Sequence, residues 1–231
     1  MVPSIMLQPL RDFLFATDCF HCGERLCDGE RRICNRCWDS VTPVHETDHT
    51  FSVLQQRFAA GGVIDGVSAL CYFEKGKLLQ TLAHSLKYEE LPSFGYELGV
   101  KLAGALPRRT FDAIIPIPLN KRKERERGYN QSDWIGKGIS SVTGIPLLPQ
   151  VIRRVKYTVT QTHLTADQRK ENIAEAFRVS DTGWMRDKAV LLVDDIITTG
   201  STIQEAATVL KSAGAGSIHV GAAGLALLGQ G

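Results

Sequence analysis

The chain has 231 residues, room for one substantial α/β domain and a small module, and its 43% hydrophobic and 23% charged content excludes a disordered protein. No run approaches the roughly 20 apolar residues that span a bilayer, and the opening stretch MVPSIMLQPLRDFLFATDCF lacks a basic leader and is broken by Arg11 and Asp12. No membrane insertion or signal peptide is therefore expected, and the location expected is cytoplasmic. Net charge is +2, yet residues 101–170 carry 14 Lys+Arg against 5 Asp+Glu, or +9, leaving −7 for the remainder. That third of the molecule suits a polyanion.

Five of the six cysteines fall between Cys19 and Cys37. Two CxxC pairs, Cys19/Cys22 and Cys34/Cys37, flank 11 residues. Each pair puts two thiolates on one tight turn, and two turns complete a tetrahedral zinc site. A structural Zn2+ is expected there, with Cys27 and His21 standing by as alternative ligands, in a module covering residues 1–45. Residues 46–231 form the second domain. Gly66–Phe73 reads as a strand and EKG as a turn. Lys77–Tyr88 is a helix, with Leu78, Leu79, Leu82, Ala83 and Leu86 at helical spacing. A helix is expected over Tyr96–Leu106, then a buried strand over Phe111–Leu119.

Lys121 to Arg127 packs five cations and two glutamates into seven residues. An exposed helix start with i,i+4 pairing explains such a run in isolation. Its place just after a strand favours an anion-binding role. Gln131–Val142 reads as a helix and Ile145–Ile152 as extended. Residues 156–172 are polar with no sustained apolar face, the composition of a functional lid or a disordered loop. Arg153, Arg154 and Lys156 introduce them, and His163 is a lone loop histidine. Ala189–Val193 is a strand, Thr202–Gly214 a helix and Ser217–Leu227 a last strand. Near-continuous apolar strands alternating with helices predict an α/β fold with a mainly parallel sheet flanked by helices.

The stretch VLLVDDIITTGST, Val190 to Thr202, carries the strongest functional signal. Two adjacent carboxylates repel unless hydroxyls or a cation engage them, and Asp194 and Asp195 fall where parallel sheets bind ligands, at the carboxyl end of a strand. Thr198, Thr199, Gly200, Ser201 and Thr202 follow, supplying hydroxyls and backbone N–H groups to a helix start that suits phosphate. Acids for sugar hydroxyls beside a phosphate cup describe a sugar phosphate site. Thr202-Ile-Gln-Glu205 also fits a capping box, which accounts for Thr202 but not for the acids. No G-x-x-x-x-G-K-[ST] or G-x-G-x-x-G accompanies them.

VLLVDDIITTGST resembles the phosphoribosyl pyrophosphate (PRPP) motif of type I phosphoribosyltransferases. The resemblance implies that Asp194 and Asp195 hold the ribose hydroxyls, that Thr198 through Thr202 hold the 5′-phosphate, and that Mg2+ accompanies PRPP. IPIPLNKRKERERGYNQ resembles the family's pyrophosphate-loop strand, which implies a loop of Pro118, Leu119, Asn120 and Lys121. The Arg127–Gln131 sequence RGYNQ, the segment with Gln161, Arg169, Asn172 and Phe177, HSLKY and the cysteine module together resemble the ComF, or GntX-like, competence family. Membership implies DNA uptake or use of DNA as nutrient, with single-stranded DNA and DNA-uptake proteins as partners on the cytosolic side. Lys121, Arg122, Lys123, Arg125 and Arg127 are then the nucleic-acid contacts. A nucleobase phosphoribosyltransferase and a PRPP-responsive binder without turnover are the alternatives, and no hood segment for base recognition is recognisable.

Overall fold

The computed structural model describes residues 18–88, 91–108, 110–155 and 176–227. The polar segment expected over 156–172, with Lys156, Gln161, His163, Arg169 and Asn172, lies outside the described residues. In chain order the described elements are α1 (Asn35–Asp39), α2 (His49–Ala60), β1 (Gly66–Phe73), α3 (Leu78–Tyr88), α4 (Pro92–Ala103), β2 (Ala113–Pro116), α5 (Lys121–Arg127), α6 (Gln131–Thr143), β3 (Ile152–Arg154), β4 (Phe177–Val179), α7 (Thr182–Met185), β5 (Ala189–Ile197), α8 (Ser201–Ser212) and β6 (Ser217–Ala226).

Four strands form a parallel sheet in the order β1-β6-β5-β2. Central strand β6 is buried along nearly its whole length and β5 over Val190–Val193, which is why they read as continuous apolar runs. One face packs against α2, α8 and the antiparallel hairpin β3–β4 through Phe51, Leu54, Phe58, Ile203 and Phe177. The other face carries α3, α4 and α6, and the cysteine module joins that same apolar cluster through Cys19, Ile33, Cys34 and Cys37. Phe20 of the module lies 4.7 Å from Phe94 of α4, ring centre to ring centre.

Several boundaries differ from the sequence reading. The helix expected from Tyr96 begins instead at Pro92, whose fixed φ suits the first helical position, and it stops before Gly104. The strand expected over 111–119 pairs only over Ala113–Pro116, although Ile117 N still donates to Val193 O at 2.8 Å. Thr202 is not the cap of α8. The helix starts at Ser201 from Gly200, which adopts φ 77° and offers no side-chain cap. The segment Ile145–Leu148 is extended, bridging in parallel to Ile114 through Leu147. Periodicity gave no warning of α2 or of the β3–β4 hairpin.

Candidate functional site

The acid pair does not follow the end of its strand, as expected, but lies inside β5. Pairing with β6 runs on to Ile197 opposite Leu225, whereas pairing with β2 ends at Val193 opposite Pro116. β5 therefore outruns β2, and Asp194 and Asp195 have a strand on one side only. This leaves a crevice at the carboxyl edge of the sheet.

Each acid is held from a different element. Ser132, in the first turn of α6, donates its hydroxyl to Asp194 Oδ1 at 3.2 Å. Lys87, in the last turn of α3, places its Nζ 3.0 Å from Asp195 Oδ2. Burial, and after it the charge of Asp195, pushes the Asp194 carboxyl up to about 7. Neither Ser132 nor Lys87 is singled out by the sequence, although Ser132 directly follows RGYNQ and Lys87 lies within HSLKY.

The structure gives RGYNQ a positioning task. Tyr129 Oη and Gln131 Nε2 both donate to the carbonyl of Leu86, at 2.7 and 3.1 Å, and so fix the end of α3 that carries Lys87. Asn130 accepts from Ser132 N as the cap of α6, and its Nδ2 donates to Ile117 O at 3.0 Å, tying the helix to the end of β2. One pentapeptide thus aligns both partners of the acid pair.

Thr198, Thr199, Gly200, Ser201 and Thr202 line a cavity of about 80 Å3 together with Asp194. Thr199 Oγ1 and Ser201 Oγ lie 2.7 Å apart. Arg57 of α2 donates to the Thr199 carbonyl at 2.7 Å, and a Cβ on Gly200 would meet the Phe58 ring at 2.7 Å. The unexpected helix α2 is the backing of the hydroxyl loop. Gly200 serves there twice, by its left-handed φ and by its lack of a side chain.

Pro118, Leu119 and Lys121 line a second cavity of about 280 Å3 with Asn130, Asp133, Gln150, Arg153 and Arg154. Asn120 caps α5 by accepting from Arg122 N at 2.8 Å. Burial pushes Asp133 up to about 6, although Asn130 Nδ2 donates to it at 2.8 Å. Only Lys121 of the five α5 cations lines this cavity; Arg122 pairs with Glu126 at 2.7 Å, and Arg125 Nε donates to the Lys121 carbonyl. Lys123 and Arg127 also lie outside it.

At the cysteine module, the sulfurs of Cys19, Cys22, Cys34 and Cys37 all lie within 4.8 Å of one another, with Cys19–Cys37 and Cys22–Cys34 both at 3.8 Å. Four sulfurs bound to zinc at about 2.3 Å form a tetrahedron of edge about 3.8 Å. The cluster fits a zinc module. Cys27 is not part of it, and His21 Nδ1 turns to Thr81 Oγ1 at 3.1 Å. Burial alone raises Cys19, but backbone N–H groups of Cys22, Cys34 and His21 outweigh it and hold the thiol down to about 6.

A parallel sheet whose exposed carboxyl edge carries an acid pair and a hydroxyl loop defines a phosphoribosyltransferase-type domain, and residues 141–223 match the phosphoribosyl transferase domain family. The chain is 32% identical to Competence protein F of Haemophilus influenzae over 212 residues, covering 87% of this chain and 82% of that protein. With DNA utilization protein YhgH of Salmonella typhi it is 38% identical over 109 residues, but it spans only about half of that relative, 47%. A glutamine PRPP amidotransferase from B. subtilis aligns with 60% of this chain and 30% of its own, at 21% identity and a TM-score of 0.43. The chain belongs to the Competence protein F, or ComF, family.

Proposed function

We propose that the chain is a PRPP-binding, phosphoribosyltransferase-like protein of DNA utilisation, acting in the cytoplasm with single-stranded DNA and DNA-uptake proteins. The observation that carries the reading is β5 outrunning β2, which leaves the half-buried Asp194 and Asp195 without a strand on one side, beside the loop Thr198–Thr202. In this reading the two carboxylates accept the ribose hydroxyls. The N–H groups at the start of α8, without intrahelical partners, receive the 5′-phosphate. Pro118 to Lys121 receive the pyrophosphate. The outward cations of α5 add salt-sensitive contacts to nucleic acid.

Asp195 already faces Lys87, and burial disfavours the charged form of Asp194. The pair is thus suited to hydroxyls more than to a bare dication, so Mg2+ arrives with the pyrophosphate, whose charge it neutralises. Cys19, Cys22, Cys34 and Cys37 hold a structural Zn2+, a closed set of four thiolates with no position left for catalysis.

The test is thermal denaturation with and without Mg-PRPP. A ligand that binds only the folded protein adds about 2.7 kcal/mol at 100 times its Kd. Asp194→Asn with Asp195→Asn keeps size and removes both charges, so the variant should fold and lose the stabilisation. Undiminished stabilisation of that variant would take the ribose away from the acid pair.

A further inference from the structure

Arg153, Arg154 and Arg178, which these assignments leave unused, lie on the hairpin. Arg153 of β3 stands directly opposite Arg178 of β4, and both side chains are exposed. Like charges set opposite each other across a strand pair are destabilising. No ion pair to either arginine occurs among the described residues. An anion shared between the two would relieve that repulsion.

The arginines are also placed at the second cavity. Arg153 and Arg154 line it together with Lys121, Pro118 and Leu119. Glu124 and Asp133 line it too, so its cations exceed its carboxylates even with both acids ionised. Arg178, across from Arg153, adds a further exposed cation next to this lining. On α5, by contrast, charge is partly spent internally, by Arg122 on Glu126 and by Arg125 on a backbone carbonyl.

We propose that single-stranded nucleic acid runs over the β3–β4 hairpin, with phosphates on Arg178, Arg153 and Lys121, and thereby excludes pyrophosphate from the Pro118–Lys121 loop. A duplex holds its phosphates on a stiff convex surface and cannot lower one into a recess, whereas a flexible single strand follows a charged groove. Strand and PRPP then compete for Lys121 and the space beside it, so PRPP concentration governs nucleic-acid release. The competition rests on the PRPP reading, but the path of the strand does not.

The experiment follows a fluorescent oligothymidylate by anisotropy on the full chain. Arg178→Gln should weaken binding several-fold and make the slope of log affinity against log salt shallower by about 0.7, one phosphate contact. Its melting temperature should not fall, since a repulsion is removed, and Mg-PRPP should stabilise it as it does the parent. At ten times its own Kd, Mg-PRPP should raise the apparent oligonucleotide Kd about elevenfold. Magnesium pyrophosphate should compete likewise and ribose 5-phosphate should not.

Oligonucleotide affinity unchanged by saturating Mg-PRPP and by pyrophosphate would overturn the exclusion. An Arg178→Gln variant that binds like the parent, beside an Arg122→Gln/Lys123→Gln variant that does not, would move the strand to the outer face of α5 and overturn the hairpin path. If PRPP fails even to stabilise the parent while pyrophosphate still displaces the oligonucleotide, the PRPP reading fails and the hairpin site stands.

Discussion

Asp194 is a carboxyl raised in the folded protein to about 7, above the unfolded value of about 3.9, because it is buried and stands beside Asp195. The native state therefore holds this proton more tightly than the unfolded chain. The stability linked to it is fully present below about pH 4 and is lost as pH rises towards 7. The groups facing it are Asp195 and Ser132, with Lys87 beyond. Asp194→Asn should accordingly show a shallower fall of melting temperature between about pH 4 and pH 7 than the parent. Parallel curves would mean that the native carboxyl titrates as it does in the unfolded chain. The same residue shows how far sequence reaches. Adjacent acids after an apolar run are visible in the letters, but Ser132 and Lys87 lie 62 and 108 residues earlier and meet them only in the fold.

Helices α4 and α6 cross at glycines. A Cβ on Gly138 would run into the Tyr96 carbonyl and lie 2.8 Å from Val100 N, and one on Gly99 would run into the Ile135 carbonyl. These obstacles are backbone, so no side-chain rotation relieves them. Alanine is favoured over glycine in a helix by about 0.8–1 kcal/mol, but forcing extra volume into a packed contact costs about 1–3 kcal/mol. The clash with backbone should win. Gly138→Ala is expected to lower the melting temperature and, because Ser132 rides on the first turn of α6, to weaken Mg-PRPP stabilisation as well. A variant as stable as the parent would show that the helices can separate without cost.

The cysteine module has no core of its own among the described residues. Cys19, Ile33, Cys34 and Cys37 belong to the cluster that contains Leu78, Leu82, Phe94 and Leu98 of α3 and α4. Zinc held there, as proposed, is expected to stabilise more than the module. Structural zinc contributes about 10–16 kcal/mol in isolated finger peptides, as much as the whole net stability of about 5–15 kcal/mol of an ordinary domain. One zinc per chain is expected by metal analysis. Chelation should lower the melting temperature of the entire molecule, not release an independently melting module. Two separate transitions after chelation, or disulfides among these four cysteines in a mass spectrum, would contradict this.

The four strands of the parallel sheet are legible in the letters, because buried parallel strands are continuous apolar runs, and so are the two CxxC turns and the acid–hydroxyl motif, because each is contiguous or regularly spaced. Only the tertiary structure decided what stands behind those motifs. Helix α2 backs the hydroxyl loop through Arg57 and Phe58, RGYNQ works through the distant carbonyls of Leu86 and Ile117, and Arg153 faces Arg178 across a hairpin with no apolar periodicity. Contacts between residues far apart in the chain follow from strand order and helix packing, and neither leaves a period in the local sequence.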